Sequence, residues 1–301
     1  MSIGKHMDKA AVFFTAALLR MKPLGWYILM VKRKGMQHMK NPLKLFLTIV
    51  CSFIIFLLLT DVLAIHVHAM VPEEMEPILK SKENQKVAYL TFDDGPSLNT
   101  MEILDILDRY HVKATFFVKG NEEPYAKECY QEMISRGHAI ALHSYTHDYS
   151  IVYRSPESFF QDLNRLETML QKEFGVKSRI VRLPGGSNNR LRHQAATKPI
   201  INGILQQLME KGYIYFDWTI DSTDGISPSI SEQQIITSVQ KGTKDQKQVN
   251  ILLHDINSMK NTVKALPDII EYLKKEGYTF DTIDETTPKI QFIDEHIVYV
   301  K

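Results

Sequence analysis

Residues 87–97 read VAYLTFDDGPS. An apolar run, Val87-Ala88-Tyr89-Leu90, leads through Thr91-Phe92 into two adjacent carboxylates, Asp93 and Asp94, before Gly95-Pro96 turns the chain. A short, nearly continuous apolar run bounded by a turn predicts a strand buried on both faces, the situation of a parallel sheet. Its charges then stand at the carboxyl end of the strand, where parallel α/β architectures gather their chemistry. Neighbours on an extended chain point to opposite sides. The two aspartates are therefore given separate tasks, one gripping a cation and the other acting on water as a base. Alone, DDG also reads as a plain turn, because Asp and Gly are turn formers.

Working outward, strands and helices alternate. Strands are predicted at 87–92, 114–118, 139–143, 180–183, 213–218 and 249–254, and helices at 100–110, 123–136, 156–174, 199–211, 231–240 and 263–275. Gly137, Gly175, Gly212 and Gly277 stand just past four of these helices, where only glycine takes a left-handed cap cheaply. This order predicts an α/β fold with a parallel sheet, helices outside, and a closed or nearly closed barrel of six or seven units. Ionisable groups then collect at one rim: Asp93 and Asp94, His143 and His147, Arg182, Asp221 and Asp224, and His254. His143 and His147 are four apart, so they face one point if the segment turns helically. With a carboxylate from a neighbouring strand they form a two-nitrogen, one-oxygen set that suits Zn²⁺, with Co²⁺, Ni²⁺ and Mn²⁺ as substitutes.

The 301 residues and 44% apolar composition allow one domain of ordinary size with appendages, and a net charge of +1 gives no reason to expect nucleic acid. Cys51 and Cys129 make no disulfide framework and read as apolar fillers. Lys32, Arg33, Lys34, Lys40 and Lys44 precede an apolar run from Leu45 to Thr60. A basic flank before such a run predicts a membrane segment with its N-terminus inside, either retained as a single-pass anchor or cleaved after Ala69. The organisation expected is an N-terminal extension (1–42), an anchor or signal (43–69), a linker (70–85), an exported catalytic domain (86–285) and a tail (286–301).

The motifs TFDDGPS, HSYTH, Arg182-Leu183-Pro184-Gly185-Gly186, DSTD and LLH together resemble those of the NodB-like polysaccharide deacetylases, carbohydrate esterase family 4. The resemblance extends from Val87 to about Asp284 and implies a distorted (β/α)₇ barrel that removes N-acetyl groups with a divalent metal. By motif, it implies Asp93 as general base, Asp94, His143 and His147 as metal ligands, and Arg182 as the residue orienting the base. It further implies His254 as general acid oriented by Asp224, Leu252 beside the acetyl methyl, and Gly185 N–H at the oxyanion. Trp218 and Tyr145 are candidates for substrate contact, although Trp218 also reads as a core aromatic. Tyr149, Tyr153 and Phe216 are available either to stack on sugars or to pack. Asp217 and Asp221 read as loop-holding residues, Asp255 as a supporting or turn residue, and His138, His111 and His193 as surface residues. Gly225 departs from the family pattern, which often has tryptophan there, and Leu183 and Gly185 depart in the third motif.

The expected activity is deacetylation of a cell-wall glycan, peptidoglycan N-acetylglucosamine first, by a monomer attached to the membrane. N-acetylmuramic acid, chitin oligomers or exopolysaccharide are alternative substrates, and an inactive glycan-binding relative is the rival class. A two-His-one-carboxylate Fe(II) oxygenase is disfavoured by the adjacent Asp93.

Overall fold

The computed structural model describes residues 85–194 and 196–293. Its strands are β1 (Lys86–Asp93), β2 (Thr115–Lys119), β3 (Ala139–Ser144), β4 (Ile180–Val181), β5 (Ile214–Tyr215), β6 (Ile220–Asp221), β7 (Gln248–His254) and β8 (Tyr278–Phe280). The helices are α1 (Thr100–Arg109), α2 (Pro124–Ser135), α3 (Tyr149–Val152), α4 (Pro156–Phe174), α5 (Lys198–Glu210), α6 (Glu232–Gly242) and α7 (Lys260–Lys275). Strand β1 is the hub. It pairs in parallel with β7 from Val87↔Gln248 to Asp93↔His254. Its other edge is divided between β8, at Lys86–Ala88, and β2, at Thr91–Asp93. The sheet is parallel throughout, in the order β5-β4-β3-β2-β1-β7-β6, with β8 on β1.

Alternation along the strands sorts the side chains. Leu90, Phe92, Phe116, Val118 and Leu142 pack against the helices, with Leu104, Leu107, Leu166, Leu205 and Leu266 facing them. The alternate positions Tyr89, Phe117 and Ala141 form a second, inner cluster with Ile180, Phe216 and Ile283. Continuing that inner parity toward the strand ends gives Thr91 and Asp93 on β1, His143 on β3, and Leu252 and His254 on β7. The site is the top of the inner face.

Local chemistry sets the helix boundaries. Ser155 Oγ accepts the Ser158 N–H at the start of α4, and Gly175 ends that helix at φ 71°. Ser231 and Gln234 close a reciprocal capping box on α6.

Four expectations are corrected. The seven parallel strands bear out a barrel of seven units, but among the described residues their path has two ends, β5 and β6, so it is an open half-barrel and not a closed one. The strand predicted over 213–218 shrinks to Ile214–Tyr215. Beyond it the Phe216 and Asp217 carbonyls accept from Arg182, while the Asp217 N–H donates to Ile290 O at 2.7 Å, so these groups serve a side chain and the tail. His138, read as a surface residue, is buried, and its Nδ1 accepts the Ala114 N–H. The expected membrane location is also corrected: among the described residues no helix is long and apolar enough to cross a membrane. Residues 43–69, on which that expectation rested, lie outside the described residues.

Two substitutions separate packing from backbone cost. Leu166, fully buried in α4, should lose about 2–5 kcal/mol of stability as Leu166→Ala. Gly175→Ala should lose only about 1 kcal/mol, because its cost is left-handed backbone with nothing within 4 Å to clash. Urea titrations of the two variants measure the difference.

Candidate active site

Asp94 lies one residue beyond β1 with φ 74°, its N–H donating to Phe117 O at 3.2 Å. This left-handed step separates the two carboxylates, in place of the simple alternation the sequence suggests. His143 is on β3, and His147 follows a turn and itself has φ 54°, so the pair converges without a helix. The two ring centroids are 5.1 Å apart. Asp94 Oδ1 lies 3.6 Å from His143 Nε2 and 3.2 Å from His147 Nε2.

The His143 Nδ1–H donates to Arg182 O at 2.7 Å, leaving Nε2 as the bare lone pair aimed at Asp94. Burial, then the neighbouring His143, pull the His147 pKa down to about 4, so this ring is neutral at physiological pH. Burial works against the Asp94 charge, but His143, His147 and Lys119 outweigh it and hold the carboxyl below its usual range. Asp94 Oδ1 is buried without a hydrogen-bond partner. An orphaned carboxylate oxygen facing two imidazole lone pairs, all within 4.8 Å of one another, fits a divalent cation.

Asp93 is in register with His254 on the neighbouring strand. Arg182, wholly buried, donates from Nη1 to Asp93 Oδ1 at 2.8 Å. The same guanidinium reaches Thr91 Oγ1, Asn250 Oδ1, Phe216 O and Asp217 O. Asp224 takes both the N–H and the Nδ1–H of His254, each at 2.7 Å, and is itself steadied by the Thr262 and Ser222 hydroxyls. Burial opposes charge on His254, but the Asp224 hydrogen bond and charge outweigh it, with smaller help from Asp93 and Asp94, and push the imidazole up to about 9.

The other predicted residues are placed as follows. Leu252 is buried two residues before His254 on the same parity. Gly185 has φ 75° and lies open to solvent. Trp218 is half-buried, edge-on to Phe292 at 4.9 Å. Tyr145 is engaged elsewhere: its hydroxyl is bonded to Glu122 and Arg165, with the Arg165 guanidinium 3.6 Å over its ring. At Gly225 an added Cβ would run into the His254 ring.

Sequence reasoning missed Asp162. Its carboxylate accepts the Tyr145 N–H (2.6 Å), the Thr146 N–H (3.1 Å) and the Thr146 hydroxyl (2.6 Å), which anchors the turn carrying His147. The available signal was an aspartate on the apolar face of α4, beside Phe159, Leu163 and Leu166.

The family model described as polysaccharide deacetylase matches residues 80–199. YheN of Bacillus subtilis is 34% identical over 224 residues, covering 71% of this chain and 74% of its own length. A protein of Bacillus cereus named peptidoglycan-N-acetylglucosamine deacetylase is 31% identical, covering 70% and 76%. Among solved structures, the catalytic domain of peptidoglycan N-acetylglucosamine deacetylase from Eubacterium rectale superposes with a TM-score of 0.63 at 34% identity, covering 69% of this chain and 93% of that one. The chain belongs to the polysaccharide deacetylase family. It is an enzyme, a hydrolase acting on amide bonds.

The His254–Asp224 pair should leave a pH signature in stability. Because the folded-state pKa is raised, its contribution is fully present below pH 6.5 and is lost as pH rises through about 9. The stability gap between wild type and Asp224→Asn, measured by urea titration, should therefore be wide at about pH 6 and narrow at about pH 10.

Proposed function

We propose that this chain removes N-acetyl groups from amino sugars of cell-wall glycan, with peptidoglycan N-acetylglucosamine as substrate and zinc as the ion. One observation carries the proposal: Asp93 and His254 share a register on neighbouring strands beside the Asp94–His143–His147 cluster, each with its own buried partner. The substrate is supported by the names of the B. cereus and E. rectale relatives. We assign residues 86–285 to the catalytic domain and 286–301 to its tail.

Asp94, His143 and His147 are assigned to hold the ion. When bound, a divalent cation of this kind supplies Lewis acidity, lowering the pKa of water and polarising a carbonyl. Asp93, oriented by Arg182, takes a proton from water as the water oxygen bonds to the acetyl carbon. The carbonyl π pair moves onto its oxygen, toward the Gly185 N–H. When that pair returns, the C–N bond breaks, and His254 gives its Nε2 proton to the departing nitrogen. Acetate and a free amino sugar result. Without that proton the amine would leave as an unstable anion, so an acid charged through neutral pH is what the step needs. Leu252 and Trp218 are assigned to the acetyl and sugar contacts. A relative that merely binds glycan would have no use for a base, an acid and their two buried partners.

Acetate release from purified peptidoglycan and from chitin oligomers, each with and without chelator, tests the assignment. Peptidoglycan should yield acetate only without chelator. Release from chitin oligomers alone, under zinc-replete conditions, would refute the substrate. Asp93→Asn should keep zinc yet lose turnover by about 10²–10⁴-fold. His143→Ala should lose both zinc, measured by metal analysis, and turnover.

A further inference from the structure

We propose that Tyr149 is a further catalytic residue, its phenolic O–H donating a hydrogen bond to the acetyl oxygen beside the Gly185 N–H; this rests on the deacetylation proposed above. Tyr149 opens α3, two residues after His147, and its ring meets the His147 imidazole edge-on at 5.8 Å between centroids. On its other side Tyr153 packs at 5.2 Å and 70°, and the Tyr153 hydroxyl donates to Pro184 O at 2.7 Å. The ring is therefore clamped between the cation triad and the loop 184–186.

The hydroxyl end points at that loop. A Cβ built on Gly185 would run into Tyr149 Oη, so a side chain there would push the phenol out of its present place. Among the described residues neither the Tyr149 hydroxyl nor the Gly185 N–H is spent on a protein acceptor, although Tyr149 is half-buried. The Tyr149 oxygen is not among the buried atoms, so it is open to a group arriving from solvent. Two unspent donors side by side, next to the imidazole of His147, suit an oxygen that gains charge only during reaction. Tyr149 keeps its proton throughout. As water bonds to carbon and its proton passes to Asp93, the phenol shortens its hydrogen bond to the oxygen receiving the π pair. A ring kept for packing alone would be served as well by phenylalanine.

Tyr149→Phe deletes the hydroxyl and leaves the ring. The expected result is a kcat lower by about 10²–10³-fold, the usual effect of losing one such donor, with KM changed little. Zinc content should match wild type, and calorimetry should show weaker acetate binding to the zinc-loaded variant. Wild-type kcat and acetate affinity in the variant would overturn the proposal. So would zinc loss in proportion to lost turnover, which would make Tyr149 a support for His147. If wild type itself releases no acetate from any N-acetylated glycan, the proposed function fails. The acetate titrations then still decide Tyr149, equal affinities overturning its role.

Discussion

The site depends on one buried cation. A guanidinium has five N–H donors in a rigid fork, and Arg182 makes five hydrogen bonds: Nε to Phe216 O, Nη1 to Thr91 and Asp93, Nη2 to Asp217 O and Asn250. It therefore ties β1, β7 and the segment beyond β5 across the inner face. A wholly buried charge is tolerable only when so completely partnered. Its ring contact, 4.0 Å over Phe117, seats it on β2 as well. The same side chain that completes the interior fixes the direction of the Asp93 carboxylate, so stability and orientation share one cause.

Around this centre, buried carboxylates brace the loops from behind. Asp255 accepts the hydroxyls of Ser97 and Thr100, each at 2.5 Å, and holds the loop that follows Asp94. Asp217 takes the N–H and hydroxyl of Ser187 and the N–H of Phe292, joining the glycine loop to the tail. Burial raises the pKa of both Asp217 and Asp255, and the donated hydrogen bonds work against it. Together with Asp162 and Asp224, they give each rim loop named here its own acceptor.

Much of this was legible in the sequence, for definite reasons. Four helix ends were marked by Gly137, Gly175, Gly212 and Gly277, each with positive φ. The strand-end rule brought Asp93, His143, Arg182 and His254 to one rim, because inner-face parity and register carry over directly to side chains. What could not be read was backbone that contradicts residue type. Asp94 and His147 adopt left-handed conformations rare outside glycine. The short strands β6 and β8 escaped too, since they have only two and three residues. Asp217 and Asp255 were seen as supports, but which loops they hold depends on contacts between distant segments.

The pairing of Asp93 with His254 across β1 and β7 has a mechanical consequence. Adjacent strands stand about 4.8 Å apart because backbone hydrogen bonds dictate it. The backbone spacing beneath the two groups assigned here to proton transfer is thus inherited from the ladder itself, a ruler built of main chain, and no rim loop can lengthen it. The loops can vary around this pair while the spacing of the two backbones that carry it stays constant.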